Sequence, residues 1–219
     1  MASHEVVPDA APGAVPSAVP GAVPGAVPGA VPGAVPGAVE EVVLLDDAHR
    51  PVGTAPKAEV HTTDTPLHLA VSCYVLGDDG RLLLTRRALA KKTWPGVWTN
   101  SFCGHPAPGE DFEEAVARRA GQELGFAVTG VTEVLPDFRY RAVDASGIVE
   151  NEFCPVYVAR AAGQPQPLPA EVAEVAWITP EELFAAAEAA PFLLSPWLLE
   201  QIADGRLRRA LTGPAASRS

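Results

Sequence analysis

Basic residues are scarce in this 219-residue chain, with 16 Lys and Arg against 27 Asp and Glu, and the formal net charge is −11. Glu5 and Asp9 are the only charged residues before Glu40, so −9 of the −11 falls on the rest of the chain. A surface this acidic repels phosphate backbones and anionic lipid heads, which argues against nucleic-acid and membrane partners. An anionic small substrate would need a local basic cluster or a divalent cation to offset the field. Cysteine is scarcer still. Cys73, Cys103 and Cys154 are odd in number and lack CxxC spacing, which argues against a disulfide framework or a zinc ribbon and fits the reduced cytoplasm. Pro or charge breaks every apolar run before ~18 residues, and the N-terminus lacks the basic region of a signal peptide. The expectation is a soluble, cytoplasmic protein.

What is present divides the chain in two. Residues 12–39 repeat a four-residue unit, PGAV, with one PSAV variant at Pro16–Val19. Proline in every unit prevents a helix from propagating and excludes the middle of a sheet. Residues 1–39 therefore read as a disordered tail. From Glu40 to Thr212 the usage is that of one folded domain, and 213–219 read as a flexible C-terminus.

Within the domain, Glu40–Asp47 reads as the first strand, closed by a turn that includes Arg50–Gly53. His68–Leu76 and Arg81–Arg86 flank Gly77–Gly80 as a hairpin, and Val97–Cys103 reads as another strand. Glu110–Leu124 carries apolar residues at helical spacing and is stopped by Gly125. Strands are predicted at Val128–Leu135, Phe138–Val143, Ile148–Ala159 and Val175–Ile178. Thr179-Pro180 and Ser195-Pro196 each open a terminal helix, the second running through Ile202. Mixed strands with a central helix and terminal helices indicate an α/β sandwich.

Polar residues inside apolar runs are costly unless used. In Ile148–Cys154, alternation puts Glu150, Glu152 and Cys154 on one face, and two adjacent carboxylates need a cation, a shared proton or water. His61, His68 and His105 lie at turn-rich or strand-end positions. Three imidazoles and two carboxylates form an N/O set that suits a borderline divalent ion, although their spacing is not a local ligand motif. Arg86, Arg87, Lys91 and Lys92 concentrate four basic residues in seven positions, the local cluster an anionic substrate requires. Gly104, Glu110, Arg118, Glu123 and Gly125 keep the frame of the Nudix box, GX5EX7REUXEEXGU, while Arg119 and Gln122 replace two of its glutamates. A hydrolase that needs several helix glutamates fits these replacements poorly.

Longer words carry a more specific resemblance. HTTDTPLHLA, LLTRRALAKKTWPGVWTNSFCGHP, PDFRYRA, SGIVENEFCPV and SPW resemble type 1 isopentenyl-diphosphate isomerase, in the family's order and from about Glu40 past Trp197. The resemblance implies a Nudix-type α/β/α sandwich with a mixed sheet, and an enzyme that protonates one face of an alkene and removes a proton from the other. It implies Cys103 as one proton-exchanging group and Glu152, assisted by Tyr140, as the other. His61, His68, His105, Glu150 and Glu152 match the family's metal site, expected to hold Mn²⁺ or Zn²⁺, and Glu123 would help hold Mg²⁺ on the diphosphate. Lys57, Arg87, Lys91 and Arg119 match the residues facing the diphosphate, and Trp197 the aromatic over the hydrocarbon. A monomer acting on a small-molecule diphosphate completes the expectation.

Overall fold

The structure is a computed structural model that describes residues 40–213. The expectations of a disordered tail over 1–39 and a flexible end after 213 lie outside the described residues. In chain order the elements are β1 (Glu41–Leu45), β2 (Pro51–Pro56), α1 (Lys57–Val60), β3 (His68–Leu69), β4 (Val71–Leu76), β5 (Leu82–Arg87), β6 (Trp98–Thr99), β7 (Phe102–Gly104) and α2 (Phe112–Leu124). They continue as β8 (Ala127–Leu135), β9 (Arg139–Val143), β10 (Val149–Phe153), β11 (Val156–Ala162), β12 (Val172–Ile178), α3 (Pro180–Ala189), α4 (Pro196–Ala203) and α5 (Gly205–Thr212).

Two sheets result. One has the order β2-β1-β3-β10-β9, and the other β12-β5-β4-β11-β8 with β6 and β7 added on β5 and β4. The second is the heart of the sandwich. All six residues of β4 are buried, as befits a strand covered on both faces. Val71, Cys73 and Val75 pack with Val116, Ala120 and Leu124 of α2, while Tyr74 and Leu76 pack with Leu183, Trp197, Leu198, Ile202 and Leu207 of the C-terminal helices. The α/β/α layering is as the sequence led one to expect.

The position of the breaks matters most. Ile148–Ala159, read as one strand, is two: the chain leaves the first sheet after Phe153 and enters the second at Val156, because Pro155 has no N–H for a ladder. The neighbouring strand changes sheet at Ala70, between β3 and β4. The two crossings run side by side, linked by Ala70 N–H to Phe153 O (2.9 Å) and Ser72 N–H to Pro155 O (3.0 Å). They form a seam where residues of both sheets meet.

Other differences have local causes. Val97–Cys103 is split at Asn100-Ser101, whose side chains take over backbone partners: Asn100 Nδ2 donates to Cys73 O and Phe102 O, and Ser101 Oγ donates to Leu83 O and accepts from Val75 N–H. Pro51–Gly53, read as turn, begins β2, an edge strand on which a missing donor is tolerated. The central helix starts at Phe112 because Glu110 is engaged by Arg118. Helices α1 and α5 were not read from the sequence: four residues are too few to show a period, and α5 carries Arg206, Arg208 and Arg209 beside only two buried leucines.

The predicted start of α3 is a full capping box, with Glu182 N–H donating to Thr179 Oγ1 (3.2 Å) and Thr179 N–H donating to Glu182 Oε2 (2.8 Å). Thr179→Ala is expected to lower stability by about 1 kcal/mol in urea unfolding, without altering metal content.

Candidate active site

Five donor side chains converge on the seam. His68 opens β3 and stands in register with Glu152 of β10. Glu150 lies one pleat before Glu152, His105 follows β7, and His61 caps α1 on extended backbone. One ligand atom from each of His61, His68, His105 and Glu152 lies within 4.8 Å of the others. Glu150 Oε2 is 2.9 Å from His61 Nε2, which joins the fifth donor to the group.

The bonding pattern fits a shared ion. His68 Nδ1 sits 2.9 Å from Pro66 O; a carbonyl can only accept, so Nδ1 carries a proton and Nε2 is the atom left to face Glu152. Burial acts downward on this ring, but the Glu152 carboxylate outweighs it and raises its pKa; a bound cation would take Nε2 in the neutral ring. His61 Nε2, His68 Nε2, His105 Nδ1 and Glu150 Oε2 are buried without a hydrogen-bond partner. Orphans of this kind cost about 1–3 kcal/mol each, so four would consume much of a domain's 5–15 kcal/mol margin. A divalent cation held by the cluster of His61, His68, His105 and Glu152 would give the three imidazoles a partner. Burial pushes His105 down to about 4 despite the Glu152 carboxylate, which keeps the ring neutral, as a ligand must be. At Glu152 burial acts upward, but the adjoining imidazoles of His105 and His68 outweigh it and hold the carboxyl well below its usual range.

Next to these donors opens a cavity of about 550 Å³, lined by Cys103, Tyr140, Glu152 and Trp197. The Tyr140 hydroxyl donates to Glu152 Oε2 at 2.8 Å. Trp197 is 2% exposed, its Nε1–H donating to Asn100 Oδ1 (3.1 Å) and its ring met edge-on by Trp94 at 5.5 Å. Cys103 is half-buried, whereas Cys73 and Cys154 are fully buried. Burial, and then the Glu152 charge, push the Cys103 thiol up to about 12, against smaller opposing influences from Ser72, Asn100 and Arg87.

Basic residues share the lining. Lys57, Arg87, Lys91 and Arg119 all reach the cavity, with Lys92, and the Arg87 guanidinium lies over the Trp197 ring at 5.5 Å. Each of the first four is held: Lys57 by Glu40 at 3.0 Å, Lys91 by Glu171, Arg87 by Thr93 O at 2.9 Å, and Arg119 by Glu123. Arg86 turns away from the cluster to Glu174. The sequence did not single out Glu40, Glu171 or Thr93, whose hydroxyl also donates to Glu150 Oε1 at 2.6 Å. Nor did it show that Glu123 sits behind Arg119, which forms the cavity wall in its place.

The Nudix frame serves as scaffold here. Arg118 grips Glu110 through two 2.7 Å bonds and donates to His105 O at 3.0 Å, fixing the loop that carries a donor imidazole. Gly104 lets Arg119 pass: a Cβ there would lie 2.5 Å from Arg119 Cγ. Gly104→Ala is expected to displace the guanidinium and weaken inorganic pyrophosphate binding about tenfold in calorimetry, the loss of one charged hydrogen bond. Unchanged binding would show that Arg119 does not contact the anion.

Comparison with known proteins adds the family. Residues 66–198 match the NUDIX domain. The chain is 62% identical over 172 residues to the isopentenyl-diphosphate Delta-isomerase of Kocuria rhizophila, covering 78% of this chain and 96% of that one. It is 65% identical over 159 residues to the enzyme of that name from Paenarthrobacter aurescens (73% and 86% covered) and 60% over 174 residues to that of Frankia alni (79% and 90%). Among solved structures, DR0079 of Deinococcus radiodurans shares the fold at a TM-score of 0.59 and 22% identity, covering 75% of this chain and 98% of that one. Identities of this order, sustained over nearly the full length of the Kocuria protein, mean that this chain belongs to the isopentenyl-diphosphate Delta-isomerase family, built on a Nudix fold.

Proposed function

We propose that the enzyme interconverts isopentenyl and dimethylallyl diphosphate by proton transfer at Cys103 and Glu152. The observation that carries this reading is one cavity lined by a thiol, a tyrosine-backed carboxylate and an indole together with five basic side chains, those of Lys57, Arg87, Lys91, Lys92 and Arg119. The cations take the diphosphate, with Arg119 and Arg87 suited to its oxygens. The hydrocarbon end then lies against Trp197.

A proton added to the terminal alkene carbon forms one C–H bond and leaves a tertiary cation. Loss of a proton from the neighbouring carbon returns its electron pair to a new double bond, so atoms and charge balance. Because the conversion is reversible, Cys103 and Glu152 each give a proton in one direction and take it in the other. The Trp197 π face stabilises the cation by about 1–2 kcal/mol once water is excluded, and exclusion also prevents its capture as an alcohol. Tyr140, donating to Glu152 Oε2, orients the carboxyl and faces the same space.

His61, His68, His105, Glu150 and Glu152 would hold Mn²⁺ or Zn²⁺, which supplies a fixed positive charge that shifts the proton affinity of Glu152. Glu123 would hold Mg²⁺ beside the diphosphate, a role in which Arg119 exchanges its carboxylate for phosphate oxygens. Among the described residues no helix is long and apolar enough to cross a membrane. All three cysteines are free, which supports a reducing cytoplasm, and a monomer is the proposed assembly.

Purified enzyme given isopentenyl diphosphate and Mg²⁺ is expected to yield dimethylallyl diphosphate by NMR; phosphate release in its place would identify a hydrolase. Cys103→Ala is expected to lower turnover by roughly 10²–10⁴-fold with the fold and diphosphate binding retained. Glu152→Gln is expected to lose both turnover and bound metal, and retention of either would divide the two roles assigned to it.

A further inference from the structure

Ser72 is fully buried on β4, in register with Cys103 on β7. Its Oγ has three neighbours: Cys103 Sγ at 3.1 Å, Gln201 Nε2 at 2.9 Å and Cys154 Sγ at 3.4 Å. A hydroxyl has one hydrogen to give and two lone pairs to receive. The Tyr74 hydroxyl donates to Gln201 Oε1 at 2.8 Å, which fixes the amide so that its N–H faces Ser72 and fills one lone pair. The Cys154 S–H fills the second. The remaining hydrogen, that of Ser72 itself, goes to Cys103 Sγ.

A second count concerns the hydrogen on Cys103. Among hydrogen-bond partners its other contact is Asn100 Oδ1, to which the S–H donates over 3.4 Å, an oxygen that also accepts from Trp197 Nε1 at 3.1 Å and Thr99 Oγ1 at 2.8 Å. The S–H is therefore held at the wall only by the longest of three bonds to one oxygen, beside the cavity that Cys103 lines.

We infer that Ser72, anchored by Gln201 and Tyr74, is a positioning residue that donates its hydroxyl hydrogen to Cys103 Sγ, leaving the thiol hydrogen weakly held beside the cavity. The inference rests on the isomerase reading and on Cys103 as a proton-exchanging group. When the S–H bond breaks and the new C–H bond forms, the electron pair stays on sulfur and Ser72 keeps its own proton. The O–H···S bond becomes charge-assisted at that moment, so it is stronger in the transition state than in the ground state. Such a bond acts on kcat more than on KM.

The test is steady-state kinetics on isopentenyl diphosphate. Ser72→Ala is expected to lower kcat roughly 10- to 100-fold, to leave KM and metal content near wild type while Tm falls by the loss of a buried acceptor, and to raise the solvent deuterium isotope effect on kcat. Ser72→Thr and Ser72→Val match each other in shape but not in hydroxyl, so the threonine variant is expected to retain at least about tenfold more kcat than the valine. That pair decides the matter if the alanine variant fails to fold. A wild-type kcat in Ser72→Ala, or equal kcat in the threonine and valine variants, would overturn the inference while wild-type turnover and its loss in Cys103→Ala leave the isomerase reading standing. Absence of dimethylallyl diphosphate with the wild-type enzyme would overturn both.

Discussion

Glu152 is a carboxylate placed where the protein could least afford one unsupported. It is 4% exposed, and a lone buried carboxylate protonates rather than stays ionised. Support comes from several directions: His105 and His68 approach Oε1 at 3.2 and 3.5 Å, and Tyr140 donates to Oε2. These partners come from β3, β9 and the loop after β7, so the carboxylate stays charged only when both sheets are in place. The same group that organises the metal donors is the one proposed to move a proton, which couples assembly of the site to its chemistry.

Much of this was legible in the sequence, for identifiable reasons. Long motif words placed all five donors, Cys103, Tyr140 and Trp197, and a strong helical period placed α2. Where backbone pairing was replaced by side chains, the reading failed. Asn100 and Ser101 look like ordinary strand residues in WTNSFCG, yet they end one strand and start another by bonding main-chain groups of β4, β5 and β7. Pro155 stood in plain view, but a proline tells only that a ladder stops, not that the chain continues into a second sheet. The carboxylates of Glu40 and Glu171 had no local signal at all: their partners Lys57 and Lys91 lie 17 and 80 residues away in the chain.

The carboxylates have a physical function of their own. Lys57, Arg119 and Lys91 would repel one another strongly around a dry cavity, and burial together with Arg119 already lowers the pKa of Lys57. Glu40, Glu123 and Glu171 neutralise them. On the proposed reading a diphosphate would take the place of these carboxylates, so that a protein of net charge −11 would exchange ion pairs on binding and add none.

The paired strand crossings have a further consequence. In a pleated strand a shift of one residue exchanges every inward side chain for its outward neighbour. Slippage of β10 past β3 would bring Asn151 or Phe153 opposite His68 in place of Glu152, and would carry Glu150 away from His61. Metal donors and proton carriers would thus be lost together. On the proposed reading, correct register at the seam is therefore a condition of both metal binding and proton transfer.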